Sequence, residues 1–255
     1  MVTLGVVPYL NAVPLTGRLD PAVRRVEEVP SRLGALLDAG EVDAALLPVY
    51  EAFHGVGDGF LGRYGIASRG AVTSVLLFLR RPLQEVRSLC VDPASRTSVG
   101  LACHVVAEAT GGSPLRLREA PHAGADPRET GEDAVLVIGD PAMRHRPLWD
   151  GEVVDLGEAW TRATGLPFVY ARWTARAGLA GEERDALIGL LDHAGRVGVA
   201  DAEALARAWA EARGEDGGAA ARYVREHVHY EIGPEEEAGL ARYAAVVRAQ
   251  AASRA

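Results

Sequence analysis

The stretch that decides the fold is VVPYLNAVPL, residues 6–15. It continues a short apolar run from Val2 to Val7, which is typical of a buried central strand, and Pro8 ends that strand. Prolines on both sides of the next residues stiffen a turn, and open α/β sheets form their ligand crevices at the carboxyl ends of strands. The stretch therefore predicts an α/β fold with a binding crevice beside Asn11.

Asn11 is the polar side chain that this turn holds in place. Its amide can donate two hydrogen bonds and accept two, and it carries no charge. Two interpretations are open: the side chain binds a ligand, or it closes an Asx turn or caps the next segment.

A second buried strand that ends at a proline is predicted further along the chain, after a helix. Ser31 is predicted to cap a helix that ends at Gly40, with leucines at positions 33, 36 and 37 on one face. A buried strand over residues 42–47 comes next and ends at Pro48. Repeated strand and helix units of this kind indicate a sheet covered by helices.

The chain is predicted to form two lobes. An apolar strand is expected at Val75–Leu79, and the composition changes after it, at residues 80–82 (RRP), where we place the crossing into a second lobe. A strand over residues 166–171 is expected to return the chain to the first lobe. We therefore predict a first lobe of residues 1–80 and 172–255, which includes C-terminal helices, and a second lobe of residues 81–171. Two α/β lobes around a central cleft, with a helical C-terminal region, are typical of the type II periplasmic-binding-protein-like fold.

Composition excludes several classes of partner and cofactor. The formal net charge of -8 argues against nucleic acid and anionic membrane surfaces as partners. No apolar run is long enough to span a membrane, and no secretory signal is recognisable, so we expect a cytoplasmic protein. All 27 basic residues are Arg, and the absence of Lys excludes Schiff-base chemistry and a Walker lysine. Cys90 and Cys103 are too few for a disulfide framework or a four-cysteine zinc site.

The residues available at the predicted strand ends favour positioning over acid–base catalysis. No Gly-x-Ser-x-Gly elbow occurs, and the seven histidines are scattered. His54 is the only histidine near a predicted cleft loop, while a metal site at His227 and His229 is weakly supported. A cleft of Asn, Ser, Thr, Arg, Tyr and backbone amides binds carboxylates and hydroxyls, which suits a reaction driven by the substrate's own chemistry.

Several motifs resemble those of one family, chorismate dehydratase of the futalosine-type menaquinone pathway. They cover nearly the whole chain and are PYLN (8–11), PL (14–15), PSRL (30–33), GEVDAALLP (40–48), GAVTSV (70–75), SRTSV (95–99), IGD (138–140), TGLPFVY (164–170), YEIG (230–233) and EAGL (237–240). Their order and spacing carry the resemblance.

The resemblance implies loss of water from chorismate to give 3-[(1-carboxyvinyl)oxy]benzoate, by a lyase without cofactor or metal. Asn11 and Ser74 would then hold the reacting side of the substrate, and the enolpyruvyl carboxylate itself would take the proton. The remaining substrate-binding candidates are Tyr9, Ser68, Thr73, Arg96, Thr97, Ser98, Gly139, Asp140 and Tyr170, with Arg96 or the amides near Thr97 and Ser98 expected to hold a carboxylate.

Two alternatives stay open. An enzyme resembling 1,4-dihydroxy-6-naphthoate synthase would share the fold, but its N-terminal motif differs and the histidine base of its kind is not evident here. A cytoplasmic sensor would bind a small acid and release it unchanged. The sequence leaves a homodimer open.

Overall fold

A computed structural model describes residues 1–93 and 96–252 of the chain. Within them the chain forms two separate sheets, as the two-lobed expectation requires. Ser95, which belongs to one of the family motifs, lies outside the described residues.

The first sheet has six strands in the order β11-β4-β10-β3-β1-β2. The strand opening the chain, β1, is parallel to both neighbours, whereas β10 is antiparallel to β3 and β4. The strands of this sheet are β1 (Thr3–Val6), β2 (Arg24–Glu27), β3 (Ala44–Pro48), β4 (Phe60–Ser68), β10 (Phe168–Ala175) and β11 (His229–Glu231).

The second sheet has five strands in the order β7-β6-β8-β5-β9. Its central strands β8 and β5 are almost fully buried because helices or loops cover both faces. The strands are β5 (Val75–Leu79), β6 (Ser88–Val91), β7 (Arg116–Glu119), β8 (Ala134–Ile138) and β9 (Val153–Asp155).

Helices surround both sheets, and the last four form the C-terminal region that the apolar stripes predicted. They are α1 (Val13–Thr16), α2 (Pro30–Asp38), α3 (Val49–Phe53), α4 (Arg96–Thr110), α5 (Asp140–His145), α6 (Leu156–Thr164), α7 (Gly181–Ala200), α8 (Ala202–Glu211), α9 (Gly217–Glu226) and α10 (Pro234–Ala252). None of the helices in the described part of the chain is long and apolar enough to cross a membrane.

The chain crosses between the sheets earlier than the sequence predicted. Strand β5 was assigned to the first lobe, but it pairs with β8 and β9 of the second sheet. The first crossing therefore lies between Ser68 and Val75 rather than after Arg80. Strand β10 pairs with β3 and β4 from Phe168 onward, so the return precedes residue 172 as well. An apolar run identifies a strand, but it does not reveal to which sheet the strand belongs.

Helix α2 begins one residue before the predicted cap. Pro30 is its first residue and Val29 occupies the N-cap position, which leaves Ser31 in the first turn. Pro is well suited to a first helical turn because the backbone N–H that it lacks would have no partner inside the helix. The side chain of Ser31 lies outside the described part of the structure.

Helix α10 joins the two lobes. It packs along β10 of the first sheet, and its Tyr243 hydroxyl donates a hydrogen bond to the Thr97 carbonyl oxygen in α4 at 2.8 Å. Further along α10, the Gln250 amide donates to the Gly100 carbonyl oxygen at 3.0 Å. Tyr243 is 1% exposed, so this contact is shielded from water and holds the lobes closely together.

Candidate functional site

A cavity of about 270 Å³ lies between the lobes. It sits where β1 and β3 of the first sheet and β6 and β8 of the second reach their carboxyl ends, which is where the sequence predicted a crevice. Most of its surface is apolar, and the polar side chains that line it are Tyr9, Asn11, Ser74, Asp92, Ser98 and Tyr170. Five of these six were candidates from the sequence.

Asn11 reaches the cavity from a single 3-10 turn. The turn, Leu10–Ala12, follows β1 directly and runs into α1, whose second residue is Pro14. The Asn11 Oδ1 atom is buried and has no hydrogen-bond partner among the described residues. A buried acceptor without a partner costs about 1–3 kcal/mol, so this oxygen is arranged for a donor that a ligand brings.

Ser74 lines the cavity from the opposite lobe, at the start of β5. Its Oγ lies 2.8 Å from the hydroxyl oxygen of Tyr223, which is on α9 in the C-terminal region. Burial raises the pKa of the Tyr223 phenol, and hydrogen bonds with Ser74 and Asn11 act in the opposite direction. Tyr223 therefore stays protonated and connects the side chains of Asn11 and Ser74 across the interface between the lobes.

The first turn of α4 contributes Ser98 to the cavity, but its neighbours face elsewhere. Thr97 is fully buried, and its Oγ1 accepts a hydrogen bond from the Tyr50 backbone N–H at 3.1 Å. Arg96 lies outside the cavity, where its largely exposed side chain is 3.6 Å from Glu51. The structure therefore leaves Ser98, and not the Arg96 guanidinium, facing the cavity.

Of three other candidates, one lines the cavity and two lie behind or beside its wall. Tyr170 lines the cavity, and its hydroxyl is 3.0 Å from Ser68 Oγ, which in turn donates to the Gly70 carbonyl oxygen. Ser68 is fully buried and so supports Tyr170 from behind. Thr73 does not line the cavity, and its backbone N–H donates to Asp155 at 2.7 Å.

Gly139 and Asp140 form the start of α5. Gly139 lines the cavity with φ 67° and ψ -153°, a backbone conformation that favours glycine. Asp140 is next to it at the helix start, and burial, with a smaller effect of Glu215, raises the pKa of its carboxyl to about 6. The Leu10 backbone N–H of the other lobe also donates to this carboxylate, which makes Asp140 a contact between the lobes.

Asp92 is the acid in the cavity that the sequence reasoning did not select. It follows β6, is 2% exposed, and its Oδ2 accepts a hydrogen bond from the Gly124 backbone N–H at 2.9 Å. Gly124 also lines the cavity, so Asp92 fixes part of its wall. Burial raises the pKa of the nearby Tyr9 phenol, with smaller contributions from Asp92 and Asp140. Its position after a buried strand was the sequence signal that could have identified Asp92.

Cations and histidines are not found around the cavity in the part of the chain that the structure describes. His54 stacks on Tyr50 with ring centroids 4.1 Å apart, in a separate surface pocket that it shares with Arg96. His227 faces the Ala71 carbonyl oxygen, and His229 lies 3.5 Å from Glu236. A search of the described residues found no group of three or more His, Cys, Asp or Glu side chains that could hold a metal ion.

Two sheets that face each other across a ligand-sized cavity are the arrangement of the periplasmic-binding-protein-like fold. The aliphatic sulphonate-binding protein of Escherichia coli has this fold: it aligns with 98% of this chain and 87% of its own at a TM-score of 0.61 and 15% identity. A protein of Archaeoglobus fulgidus aligns at a TM-score of 0.73 and 16% identity, over 98% of this chain and 97% of its own. At these identities the likeness shows the fold alone.

The sequence comparisons identify the family. A family model described as menaquinone biosynthesis matches residues 2–249, and the chain therefore belongs to that family. The chain is 32% identical over 192 residues to the chorismate dehydratase of Thermus thermophilus, which covers 68% of this chain and 69% of that protein. It is 26% identical over 171 residues to the chorismate dehydratase of Campylobacter jejuni, covering 65% of this chain and 60% of that protein.

Proposed function

We propose that this protein is a chorismate dehydratase, which removes water from chorismate to give 3-[(1-carboxyvinyl)oxy]benzoate. One observation carries the proposal: Asn11 and Ser74, which the family resemblance implicates, face one cavity from opposite lobes and are joined through Tyr223. Membership of the menaquinone family and the two related chorismate dehydratases support the same reaction. We also propose that the enzyme is cytoplasmic and that it belongs to the futalosine-type pathway.

The elimination needs few catalytic groups. A proton leaves the ring carbon that carries the enolpyruvyl ether, the hydroxyl leaves the neighbouring carbon as hydroxide, and the two combine as water. The ring becomes aromatic, so the product is strongly favoured. The protein has to hold the ring, orient the departing hydroxyl and stabilise the charge that develops on it.

Asn11 and Ser74 are placed for the departing hydroxyl. When Tyr223 donates its proton to Ser74 Oγ, the Ser74 hydroxyl is free to donate its own hydrogen bond to the substrate oxygen. The unpartnered Asn11 Oδ1 accepts a hydrogen bond from the substrate hydroxyl and so fixes the direction of the C–O bond. Removing one donor of this kind typically lowers kcat by about 10²–10³-fold.

The proton acceptor in this proposal is the enolpyruvyl carboxylate of the substrate. An arginine beside that carboxylate would lower its pKa and make it a weaker base, but none of the described residues that line the cavity is Arg or His. The apolar walls and the nearby Asp92 carboxylate raise the pKa of the substrate carboxylate and so keep it basic. The lack of a lining histidine likewise gives no support to the naphthoate synthase alternative.

Incubation of the purified, chelator-dialysed protein with chorismate tests the proposal. We expect chromatography and mass spectrometry to detect an enolpyruvyl benzoate that is lighter than chorismate by one water, without added cofactor. Binding of chorismate by calorimetry without turnover would indicate a sensor, and turnover only after metal is restored would refute cofactor independence. Light scattering tests whether the protein is a homodimer.

A chorismate analogue in which the enolpyruvyl carboxylate is an amide tests the proton acceptor. We expect this analogue to bind and to remain intact, because an amide is far too weak a base at neutral pH. Dehydration of the analogue at the rate of chorismate would show that a group of the protein removes the proton.

A further inference from the structure

The segment that carries Ser74 has an unusual backbone. It connects β4 of the first sheet to β5 of the second, and Thr73 within it has φ 59°. Thr73 is the only non-glycine residue with positive φ among the residues that the structure describes. For a β-branched side chain this left-handed conformation costs on the order of 1–3 kcal/mol, so the surrounding structure must hold it.

The carboxylate of Asp155 provides that restraint. Its Oδ2 accepts a hydrogen bond from the Thr73 backbone N–H at 2.7 Å, and its Oδ1 accepts one from the Val72 N–H at 3.1 Å. The same Oδ1 caps α6 by accepting the Glu158 N–H at 3.0 Å. Asp155 ends β9, and its backbone pairs with Leu76 in β5, so the carboxylate is anchored beside the segment that it binds.

Ser74 follows Thr73 directly and is held at two further points. Its carbonyl oxygen accepts the Gly139 backbone N–H at 2.7 Å, and its Oγ meets the Tyr223 hydroxyl at 2.8 Å. Both contacts depend on the direction in which the chain leaves Thr73. We propose that Asp155 is a positioning residue of the active site: by binding the backbone of Val72 and Thr73, it keeps Thr73 left-handed and directs Ser74 Oγ at the substrate. The proposal rests on the proposed function, in which Ser74 contacts chorismate.

Asp155→Ala is the first variant to examine. We expect a fall in kcat between about 10- and 100-fold, because Ser74 Oγ shifts by a fraction of an ångström to an ångström, with a smaller change in KM. In a Ser74→Ala background the same substitution should change kcat little, since no hydroxyl remains to be directed. Additive losses in that double-mutant cycle would contradict the proposal.

Replacement of Thr73 by Gly provides a rescue. Because glycine adopts a positive φ without steric cost, Thr73→Gly removes the strain that the Asp155 carboxylate offsets. Combined with Asp155→Ala, it should recover a several-fold part of the lost kcat. A loss of kcat that Thr73→Gly does not relieve would mean that Asp155 does not act through the conformation of Thr73, and it would contradict the proposal.

Asp133→Ala is the matched control. Its carboxylate also accepts two successive backbone N–H groups, those of Arg87 and Ser88, both at 3.0 Å, but it lies just before β8, at the opposite end of that strand from the cavity. We expect this variant to lower Tm as Asp155→Ala does and to keep kcat.

A crystal structure of Asp155→Ala separates this proposal from the proposed function. If the wild type does not dehydrate chorismate, the function is wrong, but the structure still decides the role of Asp155. We expect residue 73 to leave the left-handed region and the Ser74–Tyr223 contact to lengthen. An unchanged φ and an unchanged hydrogen bond would overturn the proposal.

Discussion

At the scale of single residues, the site places hydrogen-bonding groups before any ligand arrives. The Asn11 oxygen is buried without a partner in the described structure, while Ser74 is already oriented by Tyr223. A group left unsatisfied in the free protein lowers stability and becomes useful only when the substrate supplies the missing donor. The unpartnered oxygen of Asn11 therefore lowers the stability of the free protein, although it is the group that the substrate hydroxyl would contact.

Asn11→Ala tests this opposition. We expect kcat for chorismate to fall by about 10²-fold or more, since the substrate hydroxyl loses its acceptor. Tm should change by less than about 4 °C, because the variant removes an unsatisfied oxygen together with one favourable contact. Steady-state kinetics and thermal unfolding measure the two effects. Full turnover by Asn11→Ala would contradict the positioning role of the side chain.

Tyr223→Phe tests the connection between the lobes. The variant keeps the buried ring and removes the hydroxyl that contacts Ser74, so we expect at least a tenfold lower kcat in a folded protein. Tyr230→Phe is the matched control: Tyr230 is also buried, and its hydroxyl has no partner among the described residues. That control should retain kcat and be at least as stable as the wild type. Equal activity losses in both variants would argue against a specific role for Tyr223.

The sequence located part of the site and missed the rest for a physical reason. Asn11 and Ser74 were accessible to prediction because each lies next to an apolar strand, whose carboxyl end marks the crevice. Tyr223 was not a candidate from the sequence; it lies in the predicted helical C-terminal region, and its ring is buried. Its hydroxyl reaches Ser74 only because α9 packs against the segment that connects β4 to β5. Helical periodicity does not reveal which segment a helix contacts. Arg96 lies outside the cavity for a related reason: the direction of its side chain depends on its position in the first turn of α4, which the sequence pattern did not define.

At the scale of elements, the N-terminus of α6 fits closely against the segment that connects β4 to β5. A Cβ atom on Gly157 would lie 2.7 Å from Ser68 Oγ, from the Gly70 carbonyl oxygen and from the Tyr170 hydroxyl. Helix α6 can approach this closely only because residue 157 lacks a side chain. The close approach brings Asp155, which caps the helix, next to Val72 and Thr73.

Gly157→Ala should therefore displace α6. We expect a lower Tm by several degrees, because overpacking costs about 1–3 kcal/mol, together with a lower kcat. Gly189→Ala in α7 is the control, since nothing lies within 4 Å of its Cβ position. It should raise the free energy of unfolding by about 0.5–1 kcal/mol through helix propensity and leave kcat unchanged. A Gly157→Ala variant as stable and active as the wild type would refute the close fit.

At the scale of elements, sequence reasoning also showed a consistent limit. It predicted the buried strands β1, β3 and β5, whose apolar runs are continuous. It missed all four edge strands, β2, β7, β9 and β11, because each has only three or four residues, and it also missed the inner strand β4. The misplaced crossings have a different origin, since pairing between distant segments decides which sheet a strand joins.

At the scale of the whole molecule, Asp140 couples the contact between the lobes to pH. Its folded-state pKa of about 6 lies above its usual value of 3.8, so folding favours the protonated carboxyl. The stability from this group is complete below about pH 3.8 and is lost as the pH rises through 6.

Asp140→Asn mimics the protonated form and should not lose that contribution. We expect Tm of the variant minus Tm of the wild type to increase between pH 4 and pH 7, by a few degrees in total. Asp126→Asn is the control, because Arg128 holds the Asp126 pKa at about 2 and its ionisation is complete throughout this range. The Tm difference of that control should stay constant above about pH 5, where the Asp126 carboxyl is ionised in both the folded and the unfolded state. A flat profile for Asp140→Asn would show that its carboxyl is not desolvated.

The central position of β10 has a consequence for synthesis on the ribosome. Strands β3 and β4 leave the ribosome early, but their shared partner β10 comes about 100 residues later, after the whole second sheet. At roughly 5–20 residues per second, the inner edges of β3 and β4 stay unpaired for on the order of ten seconds. The second sheet, which is continuous in the chain, can complete itself during that interval. The second sheet can therefore be complete before the first, and the cavity forms only when β10, which contributes Tyr170 and Ala171 to its lining, has joined the first sheet.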